Sequence, residues 1–470
     1  MTRWFNDLFR RSWFPLGLQL LTLTAFVLLV VGGFAANTSD MAFAKVLRNT
    51  NLANLIVWSY WWPLLILSAI FLGRVWCMIC PMELVTTLAA RIGLKRKPPA
   101  WLQGGWGVTV FYLLILFVGI HILAVHRVPL RMALYLLLLL SVAVVSGLLF
   151  SRNTFCAHIC PVNHLLGLYA RLAPRGWRVR DPKICATCKD QSCISPKTAY
   201  EFPGRSCGVG LKPAQLDDNT RCLLCGQCLK ACDRHNPGDA GRPNPGWFSR
   251  RWFQDLLNLK PLTAAQVAFC WVVSGFLMYE LLTEWSATED LLLWVPRHLE
   301  AALGISGAWG HGGVKVLTLF LTLPALFWLL PFGLFRLAGG RLALSDYLLR
   351  FGIAFIPIMA AGHALKAVLK TTSRLPYWEH VFADPRGVDT ARGIVNHTLT
   401  LSALPAWRDP LVTLLGFCFM GVGIALSVKV LRKLTAQHLP AAGGTAAPLY
   451  LIPILYGGVF GVWLLAWRMF

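Results

Sequence analysis

Charged residues are scarce in this sequence, and acidic ones are the scarcest. Asp and Glu number 21 against 44 Lys and Arg, and the four types together make up 14% of the chain, whereas 56% is hydrophobic. This balance excludes a set of ordinary soluble domains and is typical of a polytopic membrane protein. The basic excess does not indicate nucleic acid, because the basic residues lie beside long apolar runs, where the positive-inside bias explains them. We expect no nucleic-acid partner.

Three local signals are also missing, and each absence removes a cofactor or a processing step. No CxxCH occurs, so c-type haem attachment is excluded. No S/T-G-A-T flavinylation motif occurs, so a covalent flavin is not supported. The first apolar run, Leu16–Phe34, is long enough to span a bilayer and lacks a convincing small-residue cleavage site. We interpret it as a membrane anchor instead of a cleaved signal peptide.

Long apolar windows recur along the whole chain and predict an all-α polytopic membrane protein with about nine transmembrane helices. The windows fall near residues 16–36, 52–72, 106–125, 130–150, 263–284, 314–336, 348–369, 411–431 and 448–467. Basic residues concentrate at the N-terminus, in the second connection and in the segment 152–260. The positive-inside rule therefore predicts a cytoplasmic N-terminus, a cytoplasmic central segment and an external C-terminus.

An internal repeat lies in the first half of the chain. GRVWCMICPMELVTTLAARIG (73–93) aligns with SRNTFCAHICPVNHLLGLYARLA (151–173), so that Cys80-Pro81 matches Cys160-Pro161 and Arg91 matches Arg171. Arg74 and Arg152 hold corresponding places just before the cysteines. Each copy follows a pair of apolar windows, which predicts a duplicated four-helix membrane domain over 1–173. The four cysteines Cys77, Cys80, Cys156 and Cys160 are candidate ligands of a further metal, copper included, or of a further cluster. They are also candidates for redox thiols, or the Cys-Pro pairs merely end helices.

The polar segment between the fourth and fifth windows contains eight cysteines. Cys222, Cys225, Cys228 and Cys232 have the spacing C-x2-C-x2-C-x3-C, typical of bacterial-type ferredoxins, and Cys185, Cys188, Cys193 and Cys207 precede them. In such proteins the fourth cysteine of the tight motif binds the other cluster, which predicts two [4Fe–4S] clusters with exchanged ligands. The expected sets are Cys185, Cys188, Cys193 and Cys232 for one cluster, and Cys222, Cys225, Cys228 and Cys207 for the other.

Zinc is the main alternative ligand for these eight cysteines. Structural zinc sites usually take two CxxC pairs, and not a triple with an outlying fourth cysteine, so clusters are favoured. Disulfides are not expected in a cytoplasmic segment. The sequence thus predicts a small 2[4Fe–4S] ferredoxin-like domain with an interfacial linker at 174–262, inserted before a five-helix membrane domain at 263–470.

The duplicated Cys-Pro motifs, followed by a two-cluster cysteine segment, resemble the NosR/NapH/CcoG-type membrane ferredoxins. The similarity covers about residues 50–240. It implies a multi-pass protein of the bacterial inner membrane, for which the orientation predicted from the basic residues puts the C-terminus in the periplasm. It also implies electron transfer on behalf of respiratory reductases or of copper-enzyme maturation. Membrane lipid, a quinone pool and an unidentified redox protein are the expected partners.

Histidines near the external ends of the windows are the next candidates for cofactor binding. His121, His126, His363 and His397 are the members of this group. Haem b would need two of them facing each other, and quinone sites also use His beside a cation. His363 and Lys366, one helical turn apart, are the predicted quinol pair, with Glu280 and Glu284 as proton relays. For any single histidine, an ordinary packed or interfacial position is the alternative. The lone Cys270 and Cys418 are expected to be packing residues.

The leading hypothesis is an integral membrane iron–sulfur electron-transfer protein that links a quinone pool, or a periplasmic redox partner, to two [4Fe–4S] clusters. The sequence leaves open whether the chain is itself an oxidoreductase or an electron-transfer subunit. One alternative is a copper or metal reductase, or a metalloenzyme assembly factor, that uses the Cys-Pro cysteines. Another is a redox-gated sensor or transporter.

Overall fold

The computed structural model describes residues 2–201, 204–232, 244–439 and 445–469. Within these ranges the regular secondary structure is helical apart from one two-stranded sheet. Eight of the described helices are long and apolar enough to cross a membrane. They are Leu16–Phe34, Leu52–Leu72, Pro129–Leu149, Ala264–Leu282, Gly307–Leu337, Leu344–Val381, Arg408–His438 and Ala447–Met469. The predicted fold class, an all-α polytopic membrane protein, is confirmed.

The third predicted window differs from the others because its helix is shorter. The window 106–125 forms the apolar helix Trp106–Ile122, which ends early. The chain turns where Ala124 takes a positive φ of 46°, and Pro129 then starts the next helix. The remaining predicted windows each coincide with one of the eight long helices.

Short elements connect the long helices. The helical ones are Thr2–Arg10, Met41–Thr50, Val75–Ile79, Pro81–Ile92, Ala100–Gln103, Phe155–Ile159, Asn163–Tyr169, Pro182–Ala186, Pro213–Gln215, Gln227–Ala231, Gln254–Leu257, Ser286–Ala302 and Val388–Val395. The strands β1 (Arg175–Val179) and β2 (Pro245–Ser249) pair antiparallel, with Trp177 opposite Trp247. The strand β2 lies in the stretch before the fifth window, where the sequence predicts an interfacial linker.

The chain divides into two compact units. The first contains 1–31, 67–111 and 133–255, and the second contains 32–66, 112–132 and 256–470. The first unit holds both Cys-Pro motifs and the cysteine-rich segment. The three-part division predicted from the sequence, with boundaries at 173 and 262, stays a prediction.

The first unit has an aromatic core beneath the cysteine-rich segment. Phe9 from the helix Thr2–Arg10 packs edge-on against Trp177, with ring centroids 4.9 Å apart. Trp247 lies 5.5 Å from Trp177, and Leu224 completes the cluster. The alternation of β1 and β2 turns both indoles to this side, and burying such large rings is a major contribution to stability. The N-terminal helix thereby supports the loop that contains Cys222 and Cys225.

The second unit is built around the helix Leu344–Val381, which is its most buried long helix. Arg408–His438 packs closely against it because Gly423 has no side chain. A Cβ at Gly423 would lie 2.8 Å from the Cβ of Ala361 and 3.0 Å from the carbonyl oxygen of Pro357. Small residues at helix contacts are common in membrane proteins, where helices associate by close packing.

Candidate iron–sulfur site

Four cysteines of the first unit line one small cavity. Cys207, Cys222, Cys225 and Cys228 surround a volume of about 30 Å³, together with the indole of Trp177. These are the four residues that the sequence assigns to one predicted cluster. The structure therefore brings together a ligand set whose first and last members are separated by 21 positions in the chain.

The loop around Cys222 and Cys225 directs backbone donors at their sulfur atoms. Leu224 and Gly226 both adopt positive φ, of 56° and 69°. The N–H of Leu224 donates to the sulfur of Cys222, and the N–H of Gln227 donates to the sulfur of Cys225. Leu211 donates its N–H to Cys207 Sγ at 3.3 Å. Hydrogen bonds to thiolate sulfur are a feature of iron–sulfur sites and help to set their potentials.

The burial of these thiols is costly unless a positive centre compensates the thiolate charge. Burial raises the pKa of Cys222 to about 11 and that of Cys225 to about 12. Burial likewise raises the pKa of Cys193 to about 11. A thiolate in apolar surroundings is stabilised when it binds a metal centre. The metal takes the place of the thiol proton and supplies the compensating positive charge. The donor set, the burial and the N–H groups fit an iron–sulfur cluster.

The second predicted ligand set is also drawn together. Burial raises the pKa of both Cys185 and Cys193, and the charge of the nearby Cys232 raises it further in each case. Asn244 donates its amide Nδ2 to Cys185 Sγ at 3.1 Å. The N–H of Cys207 donates to the carbonyl of Cys193 at 2.8 Å, so the two sets are adjacent.

The assignment of each cysteine to a cluster nevertheless stays a prediction. In the ranges that the structure describes, no group of three or more His, Cys, Asp or Glu side chains is arranged to hold a metal ion. The thiols are neighbours, and their sulfur atoms are not in ligand geometry.

The four Cys-Pro cysteines form a third group of thiols. Cys80 lies between the helices Val75–Ile79 and Pro81–Ile92, whose first residue is the proline. Burial, and then the neighbouring Cys77, raise the pKa of Cys160 to about 12. Burial is the main cause that raises the pKa of Cys156, and the charge of Glu83 is the next. The charges of Cys160, Cys80 and Cys77 raise this pKa further. The repeat therefore brings one thiol pair from each copy close enough to interact electrostatically, with Cys156 buried and the other three half-buried.

The matched arginines of the repeat anchor the cysteine-rich segment. Arg74 is buried and donates Nη1 to the carbonyl of Thr220, two residues before Cys222, at 2.9 Å. Arg152 donates to the carbonyls of Cys207 and Ile194 at 2.7 and 2.8 Å. The alignment of the repeat identified both arginines, but only the structure shows that they hold the two halves of this segment.

A buried ionic network beside the cysteine cavity is absent from the sequence prediction. Glu83 lines that cavity and is 1% exposed. It forms an ion pair with Arg205 and accepts hydrogen bonds from Gln19 Nε2 and Asn153 Nδ2, each at 2.7 Å. The available signal was an acidic residue two positions after the Cys80-Pro81 pair, in a chain with few acidic residues. Its partners lie too far away in sequence to be inferred.

The predicted histidine and lysine candidates lie in the second unit, where they divide into two environments. His121, His126 and Lys366 line a cavity of about 530 Å³. His363 is buried, and its Nδ1 is 3.2 Å from the carbonyl of Met359 in the same helix. Lys366 forms ion pairs with Glu280, at 3.4 Å, and with Glu284. The quinol role of His363 and Lys366 stays a prediction.

The remaining candidates have ordinary surroundings. His397 is exposed on a turn with a positive φ of 56°. Cys270 is fully buried, whereas Cys418 is exposed on the surface of Arg408–His438. An exposed thiol on an apolar helix is a useful control position, because it lies outside the three cysteine groups.

Substituting Gly226 by Ala is expected to disrupt the cysteine loop. The new Cβ would lie 2.3 Å from Phe9 Cδ1, and the residue would keep its positive φ only under strain. We expect a loss of about 2–4 kcal/mol of stability, with a lower iron content and a lower unfolding temperature after anaerobic purification. Gly210→Ala is the matched control, since Gly210 also has positive φ but no atom within 4 Å of its Cβ position. Equal iron loss in both variants would contradict the proposed packing.

Comparison with known proteins indicates the same chemistry. The family model described as a 4Fe-4S binding domain matches residues 54–109 and 132–180. These ranges contain all four Cys-Pro cysteines and end before Cys185. The chain is thus an iron–sulfur protein of membrane type. Electron transport is the process to which such a protein is suited.

Other similarities are limited. An uncharacterized protein of Methanocaldococcus jannaschii is 22% identical over 174 residues, which cover 36% of this chain and 65% of that protein. No solved structure matches the chain significantly. The specific resemblance to NosR/NapH/CcoG-type proteins stays a prediction.

Proposed function

We propose that this protein transfers single electrons through two [4Fe–4S] clusters bound to its cysteine-rich segment, and exchanges them with a quinone pool or with a periplasmic redox protein. The observation that carries the proposal is the cavity lined by Cys207, Cys222, Cys225 and Cys228. Such clusters accept and release one electron at a time. The protein belongs to the bacterial inner membrane in this proposal, with the cysteine-rich segment on the cytoplasmic side.

The residues around the thiols have definable tasks. Trp177 covers the cavity and donates its indole N–H to the carbonyl of Leu224 at 3.1 Å, which holds the loop and keeps water out. Arg74 and Arg205 are buried cations near the thiols, and positive charge there favours the reduced, more negative state. The backbone N–H groups orient the sulfur lone pairs. The chain therefore supplies binding, burial and tuning of the potential.

Anaerobic purification with metal, sulfide and EPR analysis tests this proposal. We expect about eight iron atoms and eight sulfides per chain, and about twelve of each if the Cys-Pro cysteines hold a further cluster. Zinc in place of iron would contradict it. Reduction of the clusters by a quinol analogue in membrane vesicles, absent when the quinol is replaced by its quinone, would support the quinone link. Reduction of the clusters only by a soluble donor protein would support exchange with a periplasmic redox protein.

A second function is favoured by one observation, the electrostatic interaction that brings the four Cys-Pro thiols into one group. Soft thiolates suit Cu(I), and a copper reductase or assembly factor would use such a group. The double variant Cys156→Ala/Cys160→Ala separates the two functions. Loss of copper reduction with the iron content unchanged would favour the second function. Loss of four iron atoms would instead assign these thiols to a cluster.

A further inference from the structure

The second unit contains a large cavity that the proposed electron transfer does not use. It has a volume of about 530 Å³, within the range of about 300–1,000 Å³ typical of ligand sites. Five separate stretches of the chain line it: the helix Met41–Thr50, the connection 120–127, the stretch 279–289, the stretch 308–315 and the stretch 366–374. The helix Met41–Thr50 precedes the span Leu52–Leu72, and the other four stretches include or adjoin a helix end, at Ile122, Leu282, Gly307 and Thr372. The cavity is therefore formed near helix ends.

Positive charge is in clear excess around this cavity. Seven Lys and Arg side chains line it, against three Glu. Two of the glutamates, Glu280 and Glu284, are both engaged by Lys366. No described residue forms a salt bridge with Arg48, Lys370 or Arg374, each of which lines the cavity. Like charges gathered at a partly buried site repel one another unless an anion lies between them.

Several polar atoms of the same cavity are buried and lack a hydrogen-bond partner among the described residues. They are Arg48 Nε, Arg374 Nε, His121 Nε2 and His126 Nδ1. Buried polar groups are nearly always hydrogen-bonded in native proteins, so several such atoms at one cavity indicate a missing ligand. Two of the four are guanidinium donors, which match the oxygens of phosphate and carboxylate groups.

The basic side chains around the cavity lower one another's pKa. Burial, followed by the neighbouring Arg374 and Arg127, lowers the pKa of Arg48 to about 10. Burial, followed by Arg127, Arg48 and Lys370, lowers the pKa of His126 well below its ordinary value. These side chains therefore interact electrostatically as one group, which consists of Arg48, His126, Arg127, Lys370 and Arg374.

We propose that this cavity binds an oxyanion, specifically a phosphoryl group held by Arg48 and Arg374, with Lys370 and His126 beside them. Basic pockets between membrane helices bind anionic lipid headgroups, and free phosphate presents the same oxygens. A neutral quinone headgroup would not compensate the excess charge, so the cavity is distinct in its chemistry from a quinone site. The proposal is independent of the iron–sulfur function.

Thermal unfolding of the purified full chain tests the proposal with two probes. One is inorganic phosphate added to delipidated protein in detergent. The other is a nanodisc of phosphatidylglycerol compared with one of phosphatidylcholine. We expect one probe to raise the unfolding temperature of the wild type by about 3–8 °C, because ligand binding stabilises the folded state by mass action. A response to phosphate identifies a free oxyanion, and a response to phosphatidylglycerol alone identifies a lipid headgroup.

The variants Arg48→Gln/Arg374→Gln and, separately, Lys370→Gln are expected to lose at least two thirds of this shift. Arg392→Gln is the matched control, because Arg392 is exposed, pairs with Asp389 and does not line the cavity. The unfolding temperature of each variant without either probe, compared with that of the wild type, reports whether the variant has folded. The proposal is overturned if the wild type responds to neither probe, or if the control loses the shift equally. A response to a quinone analogue in place of both probes would also overturn it.

Discussion

The substitution Cys225→Ser is expected to lower the iron content from about eight to about four atoms per chain. Cys225 lines the cavity with Cys207, Cys222 and Cys228, and its sulfur receives the N–H of Gln227. A serine oxygen is a poor ligand for iron in such a cluster, because thiolates are the softer donors that these centres require. One of the two EPR signals of the reduced protein should disappear.

The matched control is Cys418→Ser, at the exposed thiol outside the three cysteine groups. Its iron content should equal that of the wild type. Cys232→Ser provides the sharper comparison, since the exchanged ligand pattern assigns Cys232 to the other cluster. We expect each of the two variants to lose a different EPR signal. Loss of the same signal in both would overturn the predicted ligand sets, although not the presence of clusters.

Removing Arg205 is expected to cause the largest loss of stability among single substitutions near the cysteines. Glu83 is 1% exposed and Arg205 is 4% exposed, so Arg205→Gln would leave a carboxylate buried without its cation. Breaking such a pair typically costs about 3–5 kcal/mol. Besides burial, Glu83 raises the pKa of Cys225 and Arg205 lowers it. The variant should therefore also reduce its cluster at a more negative potential, by about 50–100 mV for one lost charge at about 8–12 Å.

The double variant Glu83→Gln/Arg205→Gln distinguishes charge from packing. With both charges removed, we expect most of the lost stability to return, because the remaining amides can hydrogen-bond and no buried charge is left. Arg392→Gln, at an exposed ion pair, should change stability by less than about 0.5 kcal/mol. Thermal unfolding in detergent and redox titration measure both effects. A double variant no more stable than Arg205→Gln would show that the arginine acts through packing alone.

Features that depend on neighbouring residues were predictable from the sequence. A run such as Pro129–Leu149 is long and apolar enough to cross a bilayer wherever the rest of the chain lies, so its membrane character follows from local composition. The spacing of Cys222 to Cys232 is likewise a local property. The duplicated Cys-Pro pairs gave Arg74 and Arg152 matching positions before the structure showed both anchoring the cysteine-rich segment.

The tertiary structure decided everything that depends on distant partners. Glu83 and Arg205 are 122 positions apart, and no periodicity in the sequence connects them. The cationic cavity of the second unit is assembled from five stretches between 41 and 374, so its charge excess is invisible in any single one. By itself the sequence determined the membrane helices and the iron-binding residue types, because bilayer thickness and ligand softness act locally. Buried charge has to be paired through space, and only the folded chain decides which groups meet.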